Sequence, residues 1–189
     1  MKTIVFNSAI LVLVYSGFYT SAQQTDPVES ATAVNESMAE ENFIDEDVAE
    51  FLVNSADARM MGSREGKLAQ QKGTTSSIRT YGLLMVTDQA TLLEELNKIA
   101  AKLRITLPSG ISEKKESGRE ALASKTGKDF DAKFIKMMVI DHERDIKLFQ
   151  KAIECKDRDV RAFAQLYLPM IQSHLEKINA IKKESKSGS

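Results

Sequence analysis

Four long stretches in which apolar residues recur every three or four positions constrain the fold of this chain more than any other feature. They run roughly over residues 44–72, 76–104, 129–154 and 157–183, and this spacing places apolar side chains along one face of an α-helix. The chain has only 3 prolines and 9 glycines in 189 residues, few of which fall inside these stretches. No strand-like alternation competes with this pattern. The sequence therefore predicts an all-α fold.

The lengths of the connections predict how the four helices are arranged. The first and second helices, and the third and fourth, are separated by a few residues, which makes each pair an antiparallel hairpin. Residues 109–128 form a longer link, and Ser112–Ser124 within it is compatible with a short helix that crosses the bundle. We therefore expect a four-helix bundle domain over residues 44–183, built from two helical hairpins joined by a long crossover. Pro169 predicts a kink in the fourth helix, or a break without functional meaning.

The first 22 residues have the pattern of a signal peptide. Lys2 precedes an apolar run over residues 4–19, and small residues follow at positions 20–22. This order is typical of export signals, and it predicts cleavage between Ala22 and Gln23. An uncleaved anchor is the alternative, although the run is short for the ~20 apolar residues of a spanning helix. We expect a periplasmic or secreted protein with no stable membrane span after cleavage.

The segments that flank the predicted bundle lack apolar periodicity. Residues 23–43 hold five acidic residues and no basic one, which is typical of a solvated chain. We expect an acidic disordered linker at residues 23–43 and a disordered tail at residues 184–189.

Charge and cysteine content exclude some classes of function. The formal net charge is -1, so the chain has no surplus of basic residues to neutralise phosphates, and we expect no nucleic-acid partner. Cys155 is the single cysteine, which excludes an internal disulfide. We expect a partly buried thiol at a helix end, with pairing to another chain as the alternative.

Each of the four predicted helices carries a polar residue on its apolar face. On a helical projection, Glu65 lies on the apolar face of the first helix, Gln89 on that of the second, and His174 on that of the fourth. His142 and Asp145 lie together on the apolar face of the third, because they are three residues apart. Burying such groups costs several kcal/mol unless they are paired or coordinated. We therefore expect them to contact one another, a water molecule or a metal.

The order and spacing of four motifs resemble a family of exported bacterial proteins, the domain-of-unknown-function family DUF4142. The motifs are EFLVNSADARMMGSREGKLA at residues 50–69, YGLLMVTDQ at 81–89, GKDFDAKFIKMMVIDHERD at 127–145 and LYLPMIQSHLEKI at 166–178. The resemblance covers roughly Asp45 to Ile181 and implies a ferritin-like bundle with no settled biochemical activity. It also implies inward histidines at His142 and His174 and an inward Glu65, whereas Gln89 stands where the family usually has a third histidine.

Two classes of function follow from the inward polar residues. Di-iron bundles use Glu-x-x-His motifs, but Val139 and Ile171 stand three residues before the two histidines. A single transition-metal site is the alternative hypothesis, and its candidate ligands are Glu65, His142, Asp145 and His174. The favoured hypothesis is a non-catalytic envelope protein, with a binding or stress-related role, whose inward polar residues form a hydrogen-bonded network. No Gly-x-Ser-x-Gly elbow or phosphate-binding loop is present.

Overall fold

The regular structure of the chain is helical throughout the residues that the structure describes. A computed structural model describes residues 25–187, which contain six helices and no strand. The helices are α1 (Pro27–Glu40), α2 (Glu46–Lys72), α3 (Ser76–Leu103), α4 (Glu113–Ala123), α5 (Gly127–Ile153) and α6 (Arg158–Ser187). The prediction of an all-α fold is confirmed, whereas the predicted signal peptide lies outside the described residues.

The four long helices α2, α3, α5 and α6 correspond to the four predicted ones. Three of them begin at residues whose side chains accept hydrogen bonds from the first turn, as helix N-caps do. Asp45 caps α2 and Thr75 caps α3, and Asp157 Oδ1 accepts from the backbone N–H of Val160 at 2.9 Å before α6. Local sequence therefore sets where these helices start.

The helices pack chiefly as two pairs, α2 against α3 and α5 against α6. Contacts of α2 with α5 and of α3 with α6 join the pairs. Two apolar clusters fill the interior: one surrounds Phe51, Phe149 and Phe163, and the other surrounds Tyr81 and Phe134. Along each long helix, the predicted inward polar residues fall between the members of the two clusters, so they form a polar layer within an apolar interior.

The prediction of a disordered linker at residues 23–43 is wrong for Pro27–Glu40, which form α1. Asp26 caps this helix, Pro27 occupies its first position, and Ala31 and Asn35 are buried. The Asn35 side chain accepts from the backbone N–H of Thr106 at 2.8 Å and donates to its carbonyl oxygen at 2.9 Å. Because Ala31 and Asn35 are the only buried residues of this helix, the segment shows no apolar periodicity.

The other terminal prediction also needs correction, because α6 continues to Ser187 rather than stopping at residue 183. Pro169 lies inside α6.

Cys155 is a partly buried free thiol just after α5, as predicted. Within residues 25–187, no helix combines the length and the apolar character needed to cross a membrane.

Candidate functional site

A cavity of about 510 Å³ opens beside the polar layer, between α2, α3, α4 and α5. Its polar wall comes from all four helices, and methionine side chains supply much of its apolar wall. The polar lining residues central to the site are Asp57, Arg59, Glu65, Gln89, Lys115, Asp141, His142 and Asp145, and the four methionines are Met61, Met85, Met137 and Met138. Its volume falls in the range of about 300–1,000 Å³ that is typical of small-ligand sites.

Three ion pairs line the cavity, and each joins one cation to one aspartate. They are Arg59–Asp145, Lys115–Asp57 (Nζ to Oδ2, 3.2 Å) and Arg144–Asp141 (Nη1 to Oδ1, 3.0 Å). The first pair is fully internal, because the Arg59 side chain is 1% exposed and the Asp145 side chain 11%. Burial lowers the pKa of Arg59 to about 10, which leaves the guanidinium charged at neutral pH.

Glu65 belongs to none of the ion pairs formed within residues 25–187. It is 1% exposed, and its Oε1 atom has no hydrogen-bond partner in that range. Burial, with a further contribution from the charge of Asp141, raises the pKa of Glu65 well above its ordinary value, while Lys115 opposes this effect. The Glu65 carboxyl group is therefore biased toward its neutral, protonated form in the unliganded protein.

Gln89 is the second acceptor on the cavity wall without a described partner. Its side chain packs against Gly62, where a Cβ atom would lie 3.2 Å from Gln89 Cδ. The Nε2 atom contacts Met85 Sδ at 4.0 Å, and the Oε1 atom has no partner within residues 25–187. Leaving a buried acceptor unsatisfied costs about 1–3 kcal/mol, so a donor brought into the cavity gains a favourable contact.

His142 is a neutral ring with a hydrogen bond at Nδ1 and the Tyr81 hydroxyl facing Nε2. Its Nδ1–H donates to the carbonyl oxygen of Met138 at 2.7 Å, which makes Nε2 the acceptor nitrogen of the neutral ring. The Tyr81 hydroxyl lies 3.5 Å from Nε2 and also 3.3 Å from the carbonyl oxygen of His174. Burial lowers the pKa of His142 to about 3. The ring is therefore uncharged over the physiological range of pH.

His174 lies next to His142, with ring centroids 5.5 Å apart, but it does not line the cavity. Its Nε2 atom is 2.8 Å from Asp88 Oδ2, so this nitrogen is the donor and Nδ1 is left without a partner among the described residues. Burial lowers the pKa of His174, although the contact with Asp88 opposes the shift. The two histidines therefore make separate hydrogen bonds rather than converging on one point.

The four candidate metal ligands are all buried, as the helical projection predicted. The structure brings Glu65, His142 and Asp145 to one cavity and leaves His174 behind the ring of His142. Within residues 25–187, no three His, Cys, Asp or Glu side chains are grouped so as to hold a metal ion. A metal held by all four residues must displace Arg59 from Asp145 and draw His174 toward the cavity, although His174 Nδ1 is free to ligate while Nε2 stays on Asp88. The observed arrangement therefore does not present these four side chains as a preformed metal centre.

The short helix α4 covers the cavity and is attached mainly through polar contacts. Asp57 Oδ1 accepts from the backbone N–H of Ser112 at 2.9 Å, and Arg64 Nη1 lies 2.8 Å from Glu116 Oε2. Leu122 is the buried residue of this helix. Gly118 faces the cavity, since a Cβ atom there would lie 3.8 Å from Met61 Cε.

Sequence reasoning missed the internal cation Arg59 and the acidic residue Asp57. On a helical projection Arg59 lies about 120° from Glu65, outside the apolar stripe. Both residues are buried because α2 contacts α1, α3, α4 and α5, so most of its circumference is covered. A signal for this was the high proportion of small and apolar residues all around α2, which a single stripe does not explain.

The chain belongs to the family described as Domain of unknown function (DUF4142), whose profile matches residues 33–181. The match includes α2 to α5, most of α6 and the second half of α1. Comparison with curated proteins finds no match.

Among solved structures, the chain is similar to the crystal structure of a DUF305 fragment from Deinococcus radiodurans. The TM-score is 0.66 at 9% sequence identity, and the alignment covers 73% of this chain and 96% of that one. At this identity the likeness concerns the fold alone.

Proposed function

We propose that this protein is a non-catalytic binding protein that takes a small molecule into the cavity between α2, α3, α4 and α5. Its frame is a ferritin-like four-helix bundle formed by α2, α3, α5 and α6, with α4 as the crossover. The likeness to the DUF305 fragment and the two helical pairs support this architecture.

One observation carries the proposal: two buried acceptors on the wall of one cavity have no partner within residues 25–187. Glu65 Oε1 and Gln89 Oε1 are these acceptors, and the parent residues are 1% and 2% exposed. Ligand sites combine an apolar wall with a few convergent polar groups. The four methionines supply an adaptable apolar wall of this kind.

The state of the histidines favours binding over catalysis. A histidine that acts as a general base needs a nitrogen free to take up the proton and within reach of it. His142 uses Nδ1 for Met138, and its Nε2 lies against the Tyr81 hydroxyl. His174 does not line the cavity. The polar groups of the site are therefore arranged to hold a ligand.

Gly118→Leu tests the proposal, because the added side chain projects into the cavity beside Met61. Ser117→Leu is the matched control, since Ser117 is an exposed neighbour in α4 that does not line the cavity. Ligand-observed NMR with a fragment mixture should detect binding to the wild type and to the control, and none to Gly118→Leu. Equal binding to all three proteins, or no binding to the wild type, contradicts the proposal.

We also propose that the protein is exported and acts outside the cytoplasm, on the basis of the pattern in residues 1–22. N-terminal sequencing of the protein purified from its native cells tests this, and the expected first residue is Gln23. A chain that retains residues 1–22 contradicts cleavage.

A further inference from the structure

We propose that the ligand is a small organic amine, bound as its ammonium ion, whose positive charge pairs with Glu65 and whose N–H groups donate to Glu65 and Gln89. This inference rests on the proposed function and adds the chemical class of the ligand. The inference is based on which charged groups and hydrogen-bond acceptors of the cavity wall have partners and which do not.

The charges on the cavity wall leave one position for a cation. Each of the aspartates on the wall already has a cationic partner in the three ion pairs. Glu65 is the remaining carboxyl on the wall, and it forms no ion pair with the residues described. Lys114 also lines the cavity without an ion pair among the described residues, but it is exposed. At the buried part of the wall an anionic ligand must compete with an aspartate for Arg59 or Lys115, whereas a cationic ligand completes a fourth pair with Glu65. Buried charges are tolerated only when they are paired.

The unpartnered hydrogen-bonding atoms favour the same class. Glu65 Oε1 and Gln89 Oε1 are both acceptors, and an ammonium group has three donors and no acceptor. Arg59 Nε is the opposing case, a buried donor without a described partner, but its guanidinium charge is already matched by Asp145. The two unpartnered acceptors therefore favour a ligand whose polar group is an ammonium ion.

The apolar wall requires that the ligand carry an apolar body beside its charged head. Met61, Met85, Met137 and Met138 line the cavity, and thioether side chains adapt to alkyl groups of different shape. A bare inorganic cation leaves this wall unused. A short alkyl chain fills it and adds favourable burial of apolar surface.

Binding an ammonium ion changes the number of protons on the protein. Burial favours the neutral form of the unliganded Glu65 carboxyl, and pairing with a cation favours its ionised form, so binding shifts this group toward losing its proton. The titratable groups of the neighbouring helices that line the cavity or act on Glu65 are Arg59 and Asp57 on α2, Tyr81 on α3, Lys114 and Lys115 on α4, and Asp141, His142, Arg144 and Asp145 on α5. Among these the paired groups keep their partners when the ligand binds, so the expected net change is proton release from Glu65.

The test uses three probes of nearly equal size that differ in charge: n-butylammonium, 1-butanol and butanoate. Isothermal titration calorimetry of the purified protein near neutral pH should give one site for n-butylammonium and weaker or no binding for the others. Repeating the titration in buffers of different ionisation enthalpy should reveal net proton release on binding rather than proton uptake. Glu65→Gln keeps the shape and removes the charge, and it should weaken n-butylammonium binding about ten- to hundredfold.

Glu120→Gln is the control, because Glu120 is an exposed residue of α4 outside the cavity. Preferred binding of butanoate or 1-butanol that is lost in Gly118→Leu overturns the amine assignment but leaves the proposed function standing. Binding of n-butylammonium with equal affinity to wild type and Glu65→Gln also overturns it. The failure of every fragment to bind the wild type overturns both.

Discussion

Gly66 and Gly82 meet backbone to backbone where α2 crosses α3. A Cβ atom on Gly66 would lie 2.7 Å from the carbonyl oxygen of Gly82, and one on Gly82 would lie 2.6 Å from the carbonyl oxygen of Gly66. Backbone atoms cannot move aside as a flexible side chain does, so this crossing tolerates no side chain on either helix. It fixes the distance between α2 and α3, and with it the position of Glu65 relative to Gln89.

Alanine at either glycine should therefore destabilise the protein. We expect Gly66→Ala and Gly82→Ala each to lower the free energy of unfolding by about 1–3 kcal/mol, because overpacking outweighs the gain in helix propensity. Urea denaturation followed by circular dichroism measures the change. Gly118→Ala is the control: a Cβ atom there has ordinary contacts, so helix propensity should raise the stability by up to ~1 kcal/mol. Equal effects at all three sites would contradict the close crossing.

The internal pair Arg59–Asp145 predicts a large cost when one partner is removed. Asp145→Leu leaves the guanidinium buried without its anion, and we expect a loss of about 3–5 kcal/mol in the free energy of unfolding. The double variant Arg59→Met, Asp145→Leu should recover most of that loss, because no unpaired charge remains. Urea denaturation of the wild type, both single variants and the double variant completes the cycle.

The exposed pair Lys102–Asp159 provides the comparison for this cycle. Lys102→Met should change the free energy of unfolding by less than about 1 kcal/mol. A double variant as unstable as the single ones would show that Arg59 and Asp145 are not energetically coupled.

The raised pKa of Glu65 predicts how the stability of the protein changes with pH. Its pKa in the folded protein is raised above the ordinary value of 4.5, so the folded state holds a proton that the unfolded chain releases. Its contribution to stability is complete below about pH 4.5 and is lost as pH rises toward the folded pKa. Glu65→Gln should therefore be more stable than the wild type at about pH 8 and differ little at about pH 4. Denaturation curves at several pH values measure the difference, and a constant difference would contradict a neutral buried Glu65.

The lowered pKa of His142 predicts the opposite dependence of stability on pH. Its pKa falls from 6.5 to about 3 in the folded protein, so the unfolded chain takes up a proton that the folded state refuses. The contribution is complete above about pH 6.5 and is lost as pH falls from there toward the folded pKa, by about 1.4 kcal/mol per pH unit. His142→Gln should remove this part of the acid sensitivity. Parallel denaturation series at several pH values give the slope of the free energy of unfolding against pH for the wild type and for the variant. Identical slopes would contradict a lowered pKa of His142.

The metal hypothesis makes a separate prediction about composition. Asp145 is paired with Arg59, and no three candidate ligands are grouped within residues 25–187, so we expect much less than one transition-metal ion per chain in protein purified without a histidine tag. Inductively coupled plasma mass spectrometry measures the content, and a chelator should leave the thermal midpoint unchanged. Near-stoichiometric metal that is lost in both His142→Ala and His174→Ala would establish a metal site instead.

The long helices were predictable because their apolar stripes are continuous. Predicted and observed ends of α3 agree within one residue, Ser76–Leu103 against 76–104, since Thr75 supplies a local cap. Helix α1 was not predictable in this way. The contact between Asn35 and Thr106 joins residues 71 positions apart, and no local pattern marks a side chain that pairs with a distant backbone.

The site was predictable only in part, for a related reason. Periodicity identified Glu65, Gln89 and His142 as inward residues, and all three are buried. The ion pairs beside them take their cations from α4 and from the far side of α2, and neither Lys115 nor Arg59 belongs to an apolar stripe. Which charges meet depends on the packing of four helices, and one-dimensional spacing does not encode it.

The attachment of α4 has a consequence for how the cavity opens. Added salt does not screen apolar packing and, with salting-out ions, strengthens it, whereas exposed ion pairs such as Arg64–Glu116 are screened over a Debye length of about 10 Å at 0.1 M salt. Added salt therefore loosens the cover over the cavity more than it loosens the helices beneath. The rate at which a ligand enters should rise with salt concentration even where the stability of the fold is constant, so the composition of the surrounding medium sets access to the site.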